Sequence, residues 1–168
     1  TLEIYVLPTA PSANNEVACV GGSIPDLVST GSNLIWYSNA ALTSQVGTGT
    51  NFATGQTAIG TYTYYITETN TNGCESVATI VTLTINSFTT MPIASGVTAC
   101  FGSTIPDLTA TGVGTSFTWY SDAALTIQVG TNSPFATGVT AVGVYTYYVT
   151  ETSTNGCESP STSVILEI

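Results

Sequence analysis

The chain contains no lysine, no arginine and no histidine. Its ten carboxylates therefore stand alone and set the net charge at −10. Nucleic-acid affinity comes mostly from cationic side chains on phosphates, so that class of partner is excluded. Anionic lipid surfaces repel such a chain for the same reason. Without histidine there is no imidazole general base, no Ser–His or Cys–His nucleophile and no imidazole metal ligand. Lys–Asn isopeptide cross-links cannot form, and trypsin-like proteases find no site to cut. No apolar run approaches the roughly 18 residues of a membrane-spanning helix, so direct membrane insertion is not expected. No signal peptide is recognisable, and Thr1 reads as the start of a fragment or processed form. No catalytic residue, metal site or cofactor is expected.

What is present is apolar and β-forming. Charged residues make up 6% of the chain and hydrophobic ones 43%, which is not the composition of a disordered segment. The polar remainder is mostly Thr, Ser, Asn and Gly, suited to the outer faces and turns of a sheet protein. The chain also repeats itself. Cys19 matches Cys100, and Ser23-Ile-Pro-Asp-Leu27 matches Thr104-Ile-Pro-Asp-Leu108. Trp36-Tyr-Ser38 then matches Trp119-Tyr-Ser121, with two extra residues inserted in a turn between Gly112 and Phe117. Phe52-Ala-Thr-Gly55 matches Phe135-Ala-Thr-Gly138, and Cys74 matches Cys157. Such internal duplication divides the chain into two modules of roughly 80 residues, near the small end for a self-sufficient core. Thr1-Leu-Glu-Ile4 resembles Thr82-Leu-Thr-Ile85 and Ile165-Leu-Glu-Ile168. Residues 1–4 accordingly read as the end strand of a preceding repeat, 5–85 as repeat 1 and 86–168 as repeat 2. Linkers are expected at Tyr5–Pro11 and Asn86–Pro92, and the chain reads as a window on a longer tandem array.

The most regular stretch is Tyr62 to Ser76, repeated from Tyr145 to Ser159. Tyr62, Tyr64 and Ile66 alternate with Thr61, Thr63, Tyr65 and Thr67, the period of a half-buried strand. Asn72-Gly73 and Asn155-Gly156 predict tight two-residue hairpin turns with φ > 0 at both positions. Val81, Leu83 and Ile85 return inward, as do Val164, Leu166 and Ile168. About seven strands are predicted in repeat 1, near 4–7, 16–20, 25–30, 33–38, 50–53, 61–69 and 76–85. Asn39-Ala-Ala-Leu42 and Asp122-Ala-Ala-Leu125 predict single helical turns capped by Asn39 and Asp122. Many short strands with regular turn signals predict an all-β fold: two tandem immunoglobulin-like β-sandwich domains.

Four cysteines allow three connectivities. The expected one is Cys19–Cys74 with Cys100–Cys157, one staple inside each repeat. Each would close a loop of about 55 residues and contribute roughly 3–4 kcal/mol in the loop-entropy model. Disulfides would place the chain in an oxidising, extracytoplasmic compartment. No Cys-x-x-Cys spacing argues for metal instead.

Cys19 to Leu27, Trp36 to Ser38, Gly60 to Thr69 and Asn72 to Ser76, with their second copies, resemble an Ig-like repeat of very large secreted surface proteins of Bacteroidota. The resemblance covers essentially the whole chain. It implies export by the gliding-associated (type IX) secretion route, a cell-surface location, and service as a stalk, adhesin or filament module. It brings no catalytic residues.

Other candidate chemistry rests on carboxylates and aromatics. Asp26, Asp107, Asp122, Glu75 and Glu158 form no Asp-x-Asp cluster of the kind that binds calcium, and solvated or capping roles suffice for them. No Asp/Glu pair sits in a context that would support glycoside hydrolysis, so an enzyme is not expected. Tyr37 and Tyr65 are predicted to share an outward patch on neighbouring strands, repeated by Tyr120 and Tyr148. Ring faces there could stack on sugars or on another subunit, or simply form a cross-strand pair. Two functions follow as expectations. The first is a structural module of an extracellular filament, stalk or fibre, whose partners are copies of itself. The second is an adhesin module binding glycan through these tyrosines or the loop tips.

Overall fold

The computed structural model describes residues 2–168. The chain divides into two compact units, Thr1–Ser87 and Phe88–Ile168, each with its own core. Fifteen strands form among the described residues, and none of these residues is helical.

Repeat 1 is a sandwich of two sheets. The smaller has the order β1-β3-β6, from Ser12–Ala13, Leu27–Thr30 and Asn51–Phe52. The larger has the order β2-β8-β7-β4-β5, from Glu16–Cys19, Thr79–Asn86, Gly60–Glu68, Leu34–Tyr37 and Gln45–Thr48. All neighbours are antiparallel except β2, which runs parallel to β8 with Cys19 opposite Asn86. Repeat 2 copies the larger sheet as β10-β15-β14-β12-β13, from Val97–Thr98, Thr162–Glu167, Val144–Thr152, Ser116–Tyr120 and Gln128–Thr131. Its smaller sheet pairs β9 (Ile93–Ala94) with β11 (Ala110–Thr111), and a bridge joins Leu108 to Phe135. The two tandem Ig-like sandwiches predicted from the strand pattern are present.

Burial follows the alternation. Val81, Leu83 and Ile85 are buried along β8, and Tyr64 and Ile66 along β7. At the centre of repeat 1, Trp36 is fully buried and stacks on Phe52 at 5.3 Å, and Phe52 meets Tyr64 edge-on at 5.1 Å. Repeat 2 builds the same trio from Trp119, Phe135 and Tyr147, at 5.2 and 5.7 Å. Each indole N–H, which burial would otherwise leave unpaired, donates to a backbone carbonyl: Trp36 to Gly49 at 2.9 Å, and Trp119 to Asn132 at 2.7 Å.

Four local expectations are corrected. No strand forms over 4–7. Leu2, Ile4 and Val6 are exposed and belong to no sheet, and Thr1 of the expected end strand lies outside the described residues. A strand not predicted from the sequence, β5 at Gln45–Thr48, pairs with β4, as β13 does with β12. Its side chains are almost all exposed, so it carries no apolar alternation to read. The 39–42 and 122–125 segments are hydrogen-bonded turns rather than helix, closed by Leu42 N–H to Asn39 and Leu125 N–H to Asp122. Leu42 and Leu125 then adopt left-handed φ values of 54° and 57°, which no helix can continue. Asn39 and Asp122 do cap the backbone that follows, at Thr43 and Ser44 and at Thr126 and Ile127.

The hairpin turns also differ from the two-residue type. Asn70 N–H donates to the Cys74 carbonyl around a three-residue loop, Gly73 N–H donates to the Asn70 carbonyl, and only Gly73 takes positive φ. This is a type I turn followed by a left-handed glycine, the usual three-residue hairpin. The Asn70 side chain selects it by accepting from the N–H groups of Asn72 and Cys74.

Candidate functional site

The tyrosine pairs are real neighbours: Tyr37 lies opposite Tyr65 between β4 and β7, and Tyr120 opposite Tyr148 between β12 and β14. Their exposure is not as expected. Tyr37 is only 8% exposed, and Tyr65, Tyr120 and Tyr148 are half-buried. The reason is a polar cluster that the sequence reading missed. The Tyr37 hydroxyl donates to Glu75 Oε1 at 2.8 Å, and Thr67 Oγ1 donates to the same oxygen at 2.5 Å. In repeat 2 Tyr120 and Thr150 hold Glu158 Oε1 at 2.8 and 2.5 Å. A carboxylate just past the hairpin turn is thereby tied to two strands of the larger sheet. Burial and then the bond to Glu75 raise the Tyr37 pKa; for Tyr120, burial and the bond to Glu158 push it up to about 12. Glu75 and Glu158 bind the protein's own hydroxyls, so the cluster is a clamp and not a reactive pair. Tyr-x₃₇-Glu is too wide a spacing to be noticed in one sequence.

The cysteines depart further from expectation. Cys19 and Cys157 are disulfide-bonded, whereas Cys74 and Cys100 carry free thiols. Neither expected staple, Cys19–Cys74 or Cys100–Cys157, is formed. Strand direction explains why. Cys19 ends β2 beside Asn86, at the end of the sandwich where the chain leaves β8. Cys74 follows the β7–β8 turn, beyond the Ile66–Thr79 pair at the other end. Nine residues of β7 separate the two ends, roughly 30 Å at strand rise. A disulfide needs Cα atoms within about 7 Å. Repeat 2 has the same arrangement, with Cys100 just past the Thr98–Glu167 pair and Cys157 beyond the β14–β15 turn.

Three surface hollows lie among the described residues. One of ≈ 520 Å³ is lined by Gly31, Leu34, Ile35 and Thr48 to Thr50 among others, with no ionisable side chain in its wall. Two smaller ones are the same cleft in each repeat. Ile24-Pro25-Asp26 faces Ala53 to Thr57, and Ile105-Pro106-Asp107 faces Ala136 to Thr140. Each wall offers a single carboxylate. Asp122 binds its own turn, and the backbone N–H of Ile127 is the main cause of its lowered pKa. Among the described residues no group of three or more Cys, Asp and Glu side chains converges as a metal site would require.

Paired sandwiches with matching buried tryptophans, matching clamps and matching cysteines are what a repeat family should show. A family model described as "Ig-like domain CHU_C associated" matches residues 8–86 and again 89–168. The chain belongs to this family. It is a Bacteroidota-type Ig-like repeat family, present here in two copies. No curated protein matches the chain. Among solved structures it is similar to the fibronectin(III)-like modules of Clostridium thermocellum CbhA, with a TM-score of 0.58 and 17% identity over 94% of this chain and 93% of that one. The titin domains Z1Z2, solved in complex with telethonin, align over 94% of this chain and 95% of theirs at 15% identity and a TM-score of 0.32. At these identities the likeness to CbhA speaks for the fold alone. Ig-like and fibronectin(III)-like families are generally non-catalytic, and tandem domains of this kind serve as structural or adhesive modules.

Proposed function

We propose that this chain is a structural module of an extracellular filament, stalk or surface fibre built from tandem Ig-like repeats. One observation carries the reading: within each repeat the chain enters and leaves at opposite ends. In repeat 1, Pro11 is held at the entry end by Thr79 Oγ1 at 2.5 Å, and β8 runs from there to Asn86 at the other end. In repeat 2, Pro92 is held in the same way by Thr162 at the head of β15. A module entered at one end and left at the other extends an array in line without doubling back. The bonded cysteines and the family's surface proteins support an oxidising, cell-surface setting. Electron microscopy of material isolated from the cell surface tests this. The reading requires fibres whose axial repeat matches one or two sandwiches; isolated particles at all concentrations would sink it.

A second reading, glycan adhesion, draws on the half-exposed rings of Tyr65 and Tyr148 and on the repeated Asp26 and Asp107 clefts. Replacing Tyr65 and Tyr148 with Ser should leave the core intact. Loss of binding on a glycan array would support adhesion; unchanged binding would remove the tyrosines from it.

A further inference from the structure

Each repeat carries the same cleft, and the same backbone pairing holds its two walls. In repeat 1, Leu27 at the start of β3 pairs with Phe52 at the end of β6. The residues just before Leu27 form one wall and those just after Phe52 the other, so that Ile24-Pro25-Asp26 faces Ala53 to Thr57. In repeat 2, Leu108 and Phe135 exchange two backbone hydrogen bonds of 3.0 and 2.8 Å, and Ile105-Pro106-Asp107 faces Ala136 to Thr140. Leu27 and Leu108 are fully buried, and each Phe ring stacks on a buried tryptophan. The far wall is a turn of fixed shape. Thr54 Oγ1 accepts from Gln56 N–H and Thr137 Oγ1 from Val139 N–H, around Gly55 and Gly138, both at φ 68°. The clefts, of ≈ 250 and ≈ 290 Å³, are thus preformed and anchored to the core.

Their chemistry has two parts. The walls are apolar at Ile24, Pro25 and Ala53, and at Ile105, Pro106 and Ala136. Beside them stands one exposed aspartate, Asp26 or Asp107. The chain's own donors take up Glu75, Glu158 and Asp122, whereas among the described residues none donates to Asp26 or Asp107. An apolar slot beside a carboxylate is complementary to a side chain with an aliphatic stem and a cationic tip. That is the build of lysine and arginine.

We propose that these clefts bind lysine or arginine side chains of a partner protein. Charge complementarity names the partner. The chain stands at −10 with no cationic residue, so a second copy cannot fill the cleft, while a basic segment is drawn to it through the field of the whole chain. The stem packs on Ile24, Pro25 and Ala53 as the charged end donates to Asp26. In repeat 2 the same roles fall to Ile105, Pro106, Ala136 and Asp107. This site goes beyond both readings above, since it needs neither fibres nor sugar.

The test titrates the whole chain, ¹³C-labelled at its methyl groups, with tetralysine and follows the methyl signals by NMR. Salt is held at about 0.15 M, where exposed charges more than about 8 Å apart are largely screened. Saturable shifts are expected at the methyls of Ile24, Ala53, Ile105 and Ala136. The core methyls of Val81 and Val164 should stay in place, in the variants too, which shows that the fold is kept. Asp26→Asn with Asp107→Asn preserves the shape of the clefts and should weaken binding about tenfold or more, the size of a charge-assisted hydrogen bond. Glu16→Gln with Glu167→Gln removes the same charge elsewhere and, with screening, should change binding by less than about twofold. Equal losses for the two pairs would mean diffuse attraction to a polyanion and overturn the proposal. No saturable shift, or shifts spread over exposed methyls such as those of Val17, Ile80 and Val144, would overturn it as well. Calcium chloride giving the same cleft shifts would assign the clefts to inorganic cations instead. A glycan-array signal abolished by Asp26→Asn with Asp107→Asn would assign them to sugars.

Discussion

At the scale of single residues, the polar side chains inside these sandwiches decide more than their number suggests. Tyr120 keeps its proton to about pH 12 in the folded state, against about 10 for a free phenol. A folded-state pKa raised above the unfolded one contributes stability that is complete below pH 10 and is lost as pH climbs toward 12. Tyr37 is shifted in the same direction by burial and by Glu75. Urea midpoints measured from pH 8 to 12 should therefore fall above pH 10, and Tyr37→Phe with Tyr120→Phe should flatten that fall. An unchanged slope would mean that other groups drive it. Glu151 is the opposite case. It is fully buried, both carboxylate oxygens lack a hydrogen-bond partner, and Gly112 sits so close that a Cβ there would fall 1.6 Å from Oε2. An unpartnered buried polar group typically costs about 1–3 kcal/mol. Glu151→Met, similar in volume and without the oxygens, is expected to stabilise repeat 2 by that order, read as an upward shift in the urea midpoint. Destabilisation would mean that the carboxylate is satisfied in solution.

At the scale of elements, legibility depended on burial. Strands β7, β8, β14 and β15 were plain because they alternate buried and exposed side chains over six to nine residues. Strand β5 was invisible because Gln45-Val-Gly-Thr48 lies almost wholly in solvent. Parallel pairing of β2 with β8 was equally invisible, since nothing in Glu16–Cys19 records the direction of a partner more than sixty residues away. That direction puts Cys19 at the end of the sandwich away from Cys74, which is why the expected Cys19–Cys74 staple does not form. The Tyr–Thr–Glu clamp was missed for a similar reason, because its three members come together only once β4, β7 and the turn are in place. Gly47 shows what holds β5 there. A Cβ on Gly47 would come within 2.7 Å of the Phe52 ring, and one on Gly130 within 2.3 Å of Phe135. Those rings are pinned between Trp36 and Tyr64, and between Trp119 and Tyr147, and cannot swing away. Gly47→Ala should cost about 1–3 kcal/mol, the usual range for forcing atoms into a filled core. Equilibrium unfolding followed by Trp fluorescence checks this. No loss would show that β5 lifts from the sheet at little cost.

At the scale of the whole molecule, the charge balance sets the conditions for self-association. With ten carboxylates and no cationic side chain, no orientation of two copies brings opposite side-chain charges together. Contacts between copies must then be apolar, hydrogen-bonded or covalent, and all work against a uniform repulsion. Screening weakens that repulsion steeply, since the Debye length shrinks from about 30 Å at 0.01 M salt to about 8 Å at 0.15 M. Assembly of the wild-type chain, followed by light scattering and sedimentation, should accordingly strengthen over that range. Sodium and calcium chloride at equal ionic strength should act alike, because no three acidic or thiol side chains converge among the described residues. A calcium-specific gain would instead mean that carboxylates from two copies share a bridging ion. Assembly weakening with salt would mean that attraction between the chains is electrostatic after all, which this composition offers no side chains to provide.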